Sequence, residues 1–477
     1  MSLKRNAGRL AAASISPVCV YAMRFLRTMI LSHLLSPNDL GVAVALISIL
    51  VSCEMVTDMA LDRFVIVTDV GNRAQTVAAA QQISVSRATM LAIAIALFSP
   101  LLARMFGVGE HAGAVACLGF ISFINGLRNW RMVQIQQDYR YGPEAIASIC
   151  EPIAGICVII AAYSWFHDER IVLASLATEA VVYVTLSHVL VRRERVAMVD
   201  PAIRKAAFAY GLPLMVNGIG LLVLKQFDQV IVVNLFGLQT LALYALGLNL
   251  AIAPASLLQS IAQKIGLPFM GRLRNQPEAL AQAALLVLLG TIWAAAAYAV
   301  PVGVVLGKLV PMFYGSAYHV SATFCALVML AVFLRFARGG PNMILLQHGL
   351  TSRLTIGNLV SGFGMVIGLV LGILSRRLDG VMVGIAIGDL LSLFVLLLLL
   401  RHVLALRAAL VQTGVLTVVV GSVAAGWAAG DDLAQGTREL ILLIGGLALI
   451  CGIALAVRQA GRWFPLPSSI RRLAVRA

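Results

Sequence analysis

Residues 208–273 read FAYGLPLMVNGIGLLVLKQFDQVIVVNLFGLQTLALYALGLNLAIAPASLLQSIAQKIGLPFMGRL. This stretch predicts two apolar helices joined by a short turn at Phe236 and Gly237, and the first helix carries Lys225 and Asp228 deep within apolar sequence. A charged side chain at that depth costs roughly 2.5–3.5 kcal/mol on insertion scales, so it normally faces a partner or a water-filled cavity. Such a pair of helices is typical of a membrane transporter rather than of an enzyme's active-site loop.

The composition extends this interpretation to the whole chain. Of its 477 residues, 60% are hydrophobic and 12% are charged, and the mean hydropathy is +0.94. An average soluble domain is about 25% charged, so this sequence has too little polar surface for one and predicts an all-α, polytopic membrane protein. The net charge of +15 is typical of the positive-inside rule. A nucleic-acid partner is not expected, because the sequence contains no basic soluble module with interleaved aromatic residues.

Hydrophobic stretches of about 20 residues are long enough to cross a bilayer, and the chain contains about fourteen of them. They cover residues 9–34, 41–61, 83–106, 112–137, 142–165, 170–191, 206–235, 238–270, 280–306, 319–338, 350–375, 379–400, 406–429 and 438–460. The connections between them are short and leave no room for an extramembrane domain.

The longest strongly charged connection, VRRERVAMVDPAIRK at residues 191–205, lies between the sixth and seventh predicted helices. We therefore expect two six-helix lobes around a central cavity. The expected divisions are an N-terminal lobe at 1–191, a basic cytoplasmic linker at 192–205, a C-terminal lobe at 206–400, and two additional helices with a basic tail at 401–477. Lys and Arg are concentrated on the side of the N-terminus, which predicts that both termini are cytoplasmic.

A weak internal repeat indicates that the two lobes are pseudo-symmetric. Residues 24–46 align with residues 225–247 at a constant offset of 201, and a second match has an offset of 207. The matched charged positions are Arg24 with Lys225, Arg27 with Asp228, Arg128 with Arg335, and Arg131 with Arg338. An offset of about six helices keeps both lobes in the same orientation.

Four motifs follow one another in residues 208–273: GLPLM at 211–215, KQFDQVIVVNLFG at 225–237, LALYALG at 241–247 and LPFMGRL at 267–273. In this order they resemble the polysaccharide-transport (Wzx-type) flippase family of the multidrug/oligosaccharidyl-lipid/polysaccharide (MOP) superfamily. Ala242 departs from the family's glycine at that position. Residues 24–45 and 309–339 also match the family, so the resemblance covers most of the chain.

The resemblance implies a flippase that moves undecaprenyl-pyrophosphate-linked oligosaccharide repeat units across the bacterial inner membrane. The product would serve the biosynthesis of lipopolysaccharide O-antigen, capsule or exopolysaccharide. Besides the lipid-linked substrate and membrane lipids, the polysaccharide polymerase and chain-length machinery are candidate partners. The alternatives are an ion-coupled drug or small-molecule antiporter of the same superfamily, a lipid II flippase, and a membrane glycan polymerase. No catalytic, nucleotide-binding or Cys/His metal motif is found, so we expect no enzymatic activity, cofactor or metal.

The charged residues within the predicted helices are the candidate binding residues. A lipid pyrophosphate is anionic and guanidinium groups offer paired donors to phosphate oxygens, so we expect a cationic cavity. Its expected residues are Arg24, Arg27, Arg128, Arg131, Lys225, Asp228, Lys264 and Arg335. Glu54, Asp58 and Glu151 are expected either to couple transport to an ion or to form structural salt bridges. Arg87, near a predicted helix start, is expected at the membrane interface.

Overall fold

The computed structural model describes residues 3–67, 73–138, 140–192, 199–273, 275–400, 414, 416–417 and 419–425. Helices dominate these residues, and no β-strand occurs among them. The α-helices are α1 Leu3–Leu34, α2 Pro37–Val56, α3 Leu61–Val67, α4 Arg73–Met105, α5 Ala112–Gly126, α6 Arg131–Gln134, α7 Gly142–Ala162, α8 Arg170–Leu190, α9 Pro201–Phe236, α10 Leu238–Arg272, α11 Pro277–Tyr314, α12 Ala322–Ala337, α13 Gly339–Gln347, α14 Thr351–Ser375 and α15 Leu378–Leu399. Short 3₁₀ turns cover Gly109–His111 and Ile135–Asp138.

The expected fold class, an all-α polytopic membrane protein, is confirmed. Within the described ranges, nine helices are long and apolar enough to cross a membrane, or ten if one bent pair counts as a single span. The total of fourteen stays a prediction. The helices expected at 406–429 and 438–460 lie outside the described residues, apart from helical residues between 414 and 425.

Local sequence explains where several helices begin and end. Ser36 caps α2, since its hydroxyl accepts a hydrogen bond from the backbone N–H of Asp39 at 3.2 Å, and Pro37 occupies the first helical position. Asp200 caps α9 in the same way, followed by Pro201. Gly237 separates α9 from α10 with a φ of 83°, a conformation that glycine adopts without a steric penalty. The turn expected at this position is therefore present.

The described chain packs as two compact units. The first unit contains the described residues within 1–246 and 312–318, and the second contains those within 247–311 and from 319 onward. In the first unit, α9 packs against α2 and α4. The division of the chain into two six-helix lobes joined by residues 192–205 stays a prediction.

The predicted single helix at 112–137 is wrong, because the structure has a break between α5 and α6 with a bend of 53°. Asn129 explains the break. Its side-chain amide donates to the carbonyl oxygens of Ser187 at 3.2 Å and Val191 at 2.7 Å. Its backbone N–H donates to the Ser187 hydroxyl at 3.0 Å, and its side-chain oxygen accepts from the N–H of Arg131. The end of α8 thus satisfies the backbone where the helix is interrupted.

Next to this break, α3 buries its apolar face in the first unit. Leu61, Phe64 and Val65 are spaced for one helix face, and they belong to a buried cluster that includes Trp130 and Ala207. The cluster joins α3, the α5–α6 break and α9, and so fixes one end of the cavity described below.

In the second unit, α14 and α15 lie against each other with backbone contact. A Cβ atom added to Gly364 would lie 2.7 Å from the Cα of Gly388, and one added to Gly384 would lie 2.2 Å from the backbone nitrogen of Gly368. No side chain larger than hydrogen fits at these positions. Small residues at four-residue spacing permit this close packing in membrane helices.

Candidate substrate-binding cavity

A cavity of about 820 Å³ lies within the first unit and is lined by residues of all eight helices from α1 to α8. Ten of its lining residues are ionisable acids or bases, an unusual density for a membrane protein. The bases are Arg24, Arg27, Arg87 and Arg128, and the acids are Glu54, Asp58, Asp62, Glu144, Glu151 and Glu179. The acids therefore exceed the bases by two, so any cationic character belongs to particular positions and not to the cavity as a whole.

Six of the expected site residues line this cavity: Arg24, Arg27, Arg128, Glu54, Asp58 and Glu151. Sequence reasoning missed Asp62, Arg87, Glu144 and Glu179 as lining residues. The error at Arg87 has a clear cause. The sequence predicts a helix start at residue 83, whereas α4 begins ten residues earlier at Arg73, and Arg87 therefore lies well inside the helix.

Arg27 forms a closed ion pair in the cavity wall. Its Nη1 atom lies 2.8 Å from both carboxylate oxygens of Glu179, and the two side chains are 12% and 10% exposed. Gly155 on α7 leaves room for this carboxylate, because a Cβ atom at Gly155 would lie 2.2 Å from Oε1 of Glu179. Paired in this way through Nη1, Arg27 connects α1 to α8, and its charge is balanced by Glu179.

Arg24 lies one turn before Arg27 on the same face of α1, and its environment is open. Its side chain is 59% exposed, and Nη2 lies 4.0 Å from Oε1 of Glu151 on α7, too far for a hydrogen bond. Its guanidinium group therefore faces the cavity with donors available to a ligand.

Arg128 occupies the helix break. Its guanidinium carbon lies 3.9 Å from the centroid of the Trp130 ring, a cation–π contact that orients the group. Within the described part of the chain, no carboxylate lies in ion-pair distance of Arg128. Arg87 is held differently, since its Nη1 donates to the carbonyl oxygen and hydroxyl of Thr57 at 3.3 and 3.1 Å.

Neutral partners hold three of the cavity carboxylates. Glu54 accepts a hydrogen bond from the side-chain amide of Asn125 at 3.1 Å. Glu144 accepts from the Tyr183 hydroxyl at 3.0 Å, and Asp58 accepts from the backbone N–H of Ala60 at 2.9 Å. Salt bridges from Arg24 or Arg27 to Glu54 or Asp58 were one sequence-based alternative, but the acids facing these arginines are Glu151 and Glu179.

Three other expected site residues, Arg131, Asp228 and Arg335, are not among the described residues that line the cavity. Arg131 donates to the carbonyl oxygen of Arg192 at 2.9 Å. Asp228, on α9, is 5% exposed and accepts from the Tyr244 hydroxyl at 2.7 Å. Arg335 belongs to the second unit, where its Nε lies 3.2 Å from a carboxylate oxygen of Asp389. The side chains of Lys225 and Lys264 lie outside the described residues, although both positions are helical.

A family of polysaccharide biosynthesis proteins matches residues 30–323, well over half of the sequence. The chain belongs to this family. The resemblance to the Wzx-type polysaccharide-transport family is thereby confirmed, and polysaccharide biosynthesis is its general role. No protein of curated function matches the sequence.

Solved structures place this polysaccharide biosynthesis protein in the fold of the MOP superfamily. The lipid II flippase MurJ, in an inward closed conformation, matches with a TM-score of 0.67 and 12% identity, over 95% of this chain and 99% of MurJ. A MATE-family multidrug resistance transporter in an inward-facing conformation matches with a TM-score of 0.52 and 12% identity, over 84% and 98%. A MATE structure in a bent conformation has a TM-score of 0.52 and 14% identity, over 86% and 97%. Family and fold together are those of a multi-pass membrane transporter of the flippase type.

Proposed function

We propose that the protein moves an oligosaccharide linked to undecaprenyl pyrophosphate from the cytoplasmic to the periplasmic leaflet of the bacterial inner membrane. The lobes would alternate access to the substrate. The exported unit would enter O-antigen, capsule or exopolysaccharide synthesis, where a polymerase and chain-length machinery act next. We place both termini in the cytoplasm, as the distribution of Lys and Arg predicts.

The observation that carries this proposal is the pair of available arginines in the cavity of the first unit. Arg24 is more than half exposed and lies beyond hydrogen-bond distance of its nearest acid, and Arg128 is oriented by Trp130. A pyrophosphate needs several directed donors to replace its hydration shell, and guanidinium groups supply them in pairs. The paired Arg27 contributes the structural connection between α1 and α8.

The polar lining beside these arginines suits the glycan. Asn125, Tyr183 and Gln136 offer donors and acceptors to sugar hydroxyls. A volume of about 820 Å³ accommodates a pyrophosphate with its first sugars, but not a long polymer. A single repeat unit, rather than a finished chain, is therefore the substrate that this cavity favours.

A flipping assay tests the proposal directly. Purified protein is reconstituted into liposomes with a fluorescent polyprenyl-pyrophosphate oligosaccharide, and a membrane-impermeant quencher reports the leaflet of the probe. The wild type should equilibrate the probe between leaflets, and a variant with both Arg24→Ala and Arg128→Ala should not. Arg170→Ala is the control, because Arg170 is exposed at the start of α8 and pairs with Asp168 outside the cavity. No flipping by the wild type would contradict the proposal.

A second candidate, an ion-coupled antiporter for small cationic compounds, is favoured by the excess of carboxylates in the cavity. Deletion of the gene in its host separates the two. Loss of surface polysaccharide with lipid-linked repeat units retained on the cytoplasmic face supports the flippase. Normal polysaccharide with greater sensitivity to cationic drugs supports the antiporter. If lipid II accumulates instead, the substrate is the peptidoglycan precursor.

A further inference from the structure

Two arginines one turn apart on α1 face two glutamates, yet the two contacts differ in kind. Arg27 and Glu179 are joined at 2.8 Å in the cavity wall, with side chains that are 12% and 10% exposed. Arg24 and Glu151 are 4.0 Å apart, with side chains 59% and 23% exposed. The close Arg27–Glu179 pair holds two helices together. The exposed Arg24–Glu151 contact is weak, so another anion can replace the glutamate.

We propose that Glu151 is the counter-ion of Arg24 in the empty cavity and that the phosphate of the substrate displaces it. The inference rests on the proposed function. It gives Glu151 a role before substrate binds, as the acid that the phosphate replaces at Arg24. A phosphate oxygen forms charge-assisted hydrogen bonds at about 2.7–2.9 Å, a distance that the Glu151 carboxylate does not reach from α7. Substrate therefore competes well for this arginine.

The charged groups around Glu151 indicate which base its carboxylate balances. The charged side chains that act on the Glu151 carboxylate are Arg24 and Arg27 on α1, Glu179 on α8, and Glu144 on its own helix. Arg27 is already neutralised by Glu179, which leaves Arg24 as the base that Glu151 balances. An anion bound at Arg24 would leave Glu151 without a base, and repulsion would favour its movement away from the phosphate.

Glu144 provides a matched control for this idea. It lies seven residues before Glu151 on α7, two turns away on the same side of the helix, and it lines the same cavity. Its partners are hydroxyl groups, those of Tyr183 and Ser148, rather than a guanidinium group. Glu144→Gln thus removes one negative charge from the cavity and leaves the Arg24 contact in place.

The test measures binding of a short-chain prenyl pyrophosphate to the full-length protein in lipid nanodiscs, with the corresponding prenol as the uncharged probe. Glu151→Gln should lower the dissociation constant about two- to fivefold, the range expected when a weak competing ion pair is removed. Glu144→Gln should leave it nearly unchanged, and Glu151→Gln should give no gain when Arg24→Ala is also present. Glu151→Ala serves as the second variant if the glutamine variant folds poorly.

Three results would overturn the inference. Equal tightening by Glu144→Gln and Glu151→Gln would mean that the general field of the cavity, and not displacement from Arg24, controls binding. Unchanged binding in Glu151→Gln with weaker binding in Arg24→Ala would reject the competition while leaving the flippase proposal standing. Absence of pyrophosphate-specific binding in the wild type and all variants would reject both.

Discussion

Arg338, between α12 and α13, donates a hydrogen bond to Asp389 on α15 with 2.6 Å between Nη1 and Oδ1, and the Asp389 side chain is 3% exposed. The hydroxyl of Ser361 donates to the same oxygen at 2.6 Å, and Arg335 approaches the other oxygen at 3.2 Å. This buried cluster joins α12, α14 and α15 within the second unit. A single carboxylate thus faces two guanidinium groups, and the Arg338 side chain is only 11% exposed.

Asp389→Asn should therefore destabilise the protein strongly. Removing one partner of a buried ion pair typically costs about 3–5 kcal/mol, because the other charge stays buried. The melting temperature in detergent should fall clearly, with reduced yield from membranes. Asp379→Asn is the control: Asp379 pairs with Arg377, whose side chain is 71% exposed, and such surface pairs contribute about 0–1 kcal/mol. Equal melting temperatures for the two variants would contradict the role given to the cluster.

Gly155→Ala should break the Arg27–Glu179 connection without changing any charge. The added methyl group would meet Oε1 of Glu179 at 2.2 Å and Oγ of Ser175 at 2.8 Å, so α7 and α8 must move apart or the carboxylate must leave Arg27. We expect a loss of about 1–3 kcal/mol, as is usual for overpacking, and a lower flipping rate. Thermal unfolding and the liposome assay measure both effects.

The matched control is Gly113→Ala on α5, where an added Cβ meets nothing within 4 Å. This variant should retain wild-type behaviour or become slightly more stable, because alanine favours helix over glycine. If Gly155→Ala behaves like Gly113→Ala, the close approach of α7 to Glu179 does not constrain the cavity wall.

Arg24→Lys distinguishes charge from geometry at the proposed pyrophosphate site. Lysine retains the positive charge but lacks the planar fork that donates two parallel hydrogen bonds. Flipping should fall to an intermediate level, between the wild type and Arg24→Ala, while membrane abundance stays the same. Full activity in Arg24→Ala at equal protein level would remove Arg24 from the site.

Asn129→Ala should disturb the cavity from the α5–α6 break. The substitution leaves the carbonyl oxygens of Ser187 and Val191 and the N–H of Arg131 without their side-chain partner. Each buried polar group that loses its partner costs about 1–3 kcal/mol, so the melting temperature should fall. Arg128 would lose its fixed position, and the affinity for a prenyl pyrophosphate should fall too. A stable variant with unchanged affinity would show that the break is held by other contacts.

The apolar runs of the sequence predict most helices well, because burial of a continuous hydrophobic stretch depends on nearby residues. The turn at Gly237 is of this local kind. The interruption at Asn129 could not be foreseen, since its hydrogen-bond partners Ser187 and Val191 lie about sixty residues further along the chain. A polar residue within an apolar run was the one available signal.

The candidate site shows the same limit. The intramembrane position of Arg24, Arg27 and Arg128 follows from sequence, because charges in apolar runs are conspicuous. The sequence does not show which acid each arginine meets. Arg27 and Glu179 are 152 positions apart, and they meet because α1 packs on the α7–α8 pair. The excess of carboxylates arises from the packing of α1 to α8 around one cavity, which no single stretch of sequence shows.

The glycine contacts between α14 and α15 have a mechanical consequence. With backbone against backbone at Gly364 and Gly388, and again at Gly368 and Gly384, neither helix can slide or rotate past the other without a collision. The two helices therefore move as one rigid pair, and no acyl chain fits between them at these points. If the second unit changes shape during a transport cycle, its other helices have to move relative to α14 and α15.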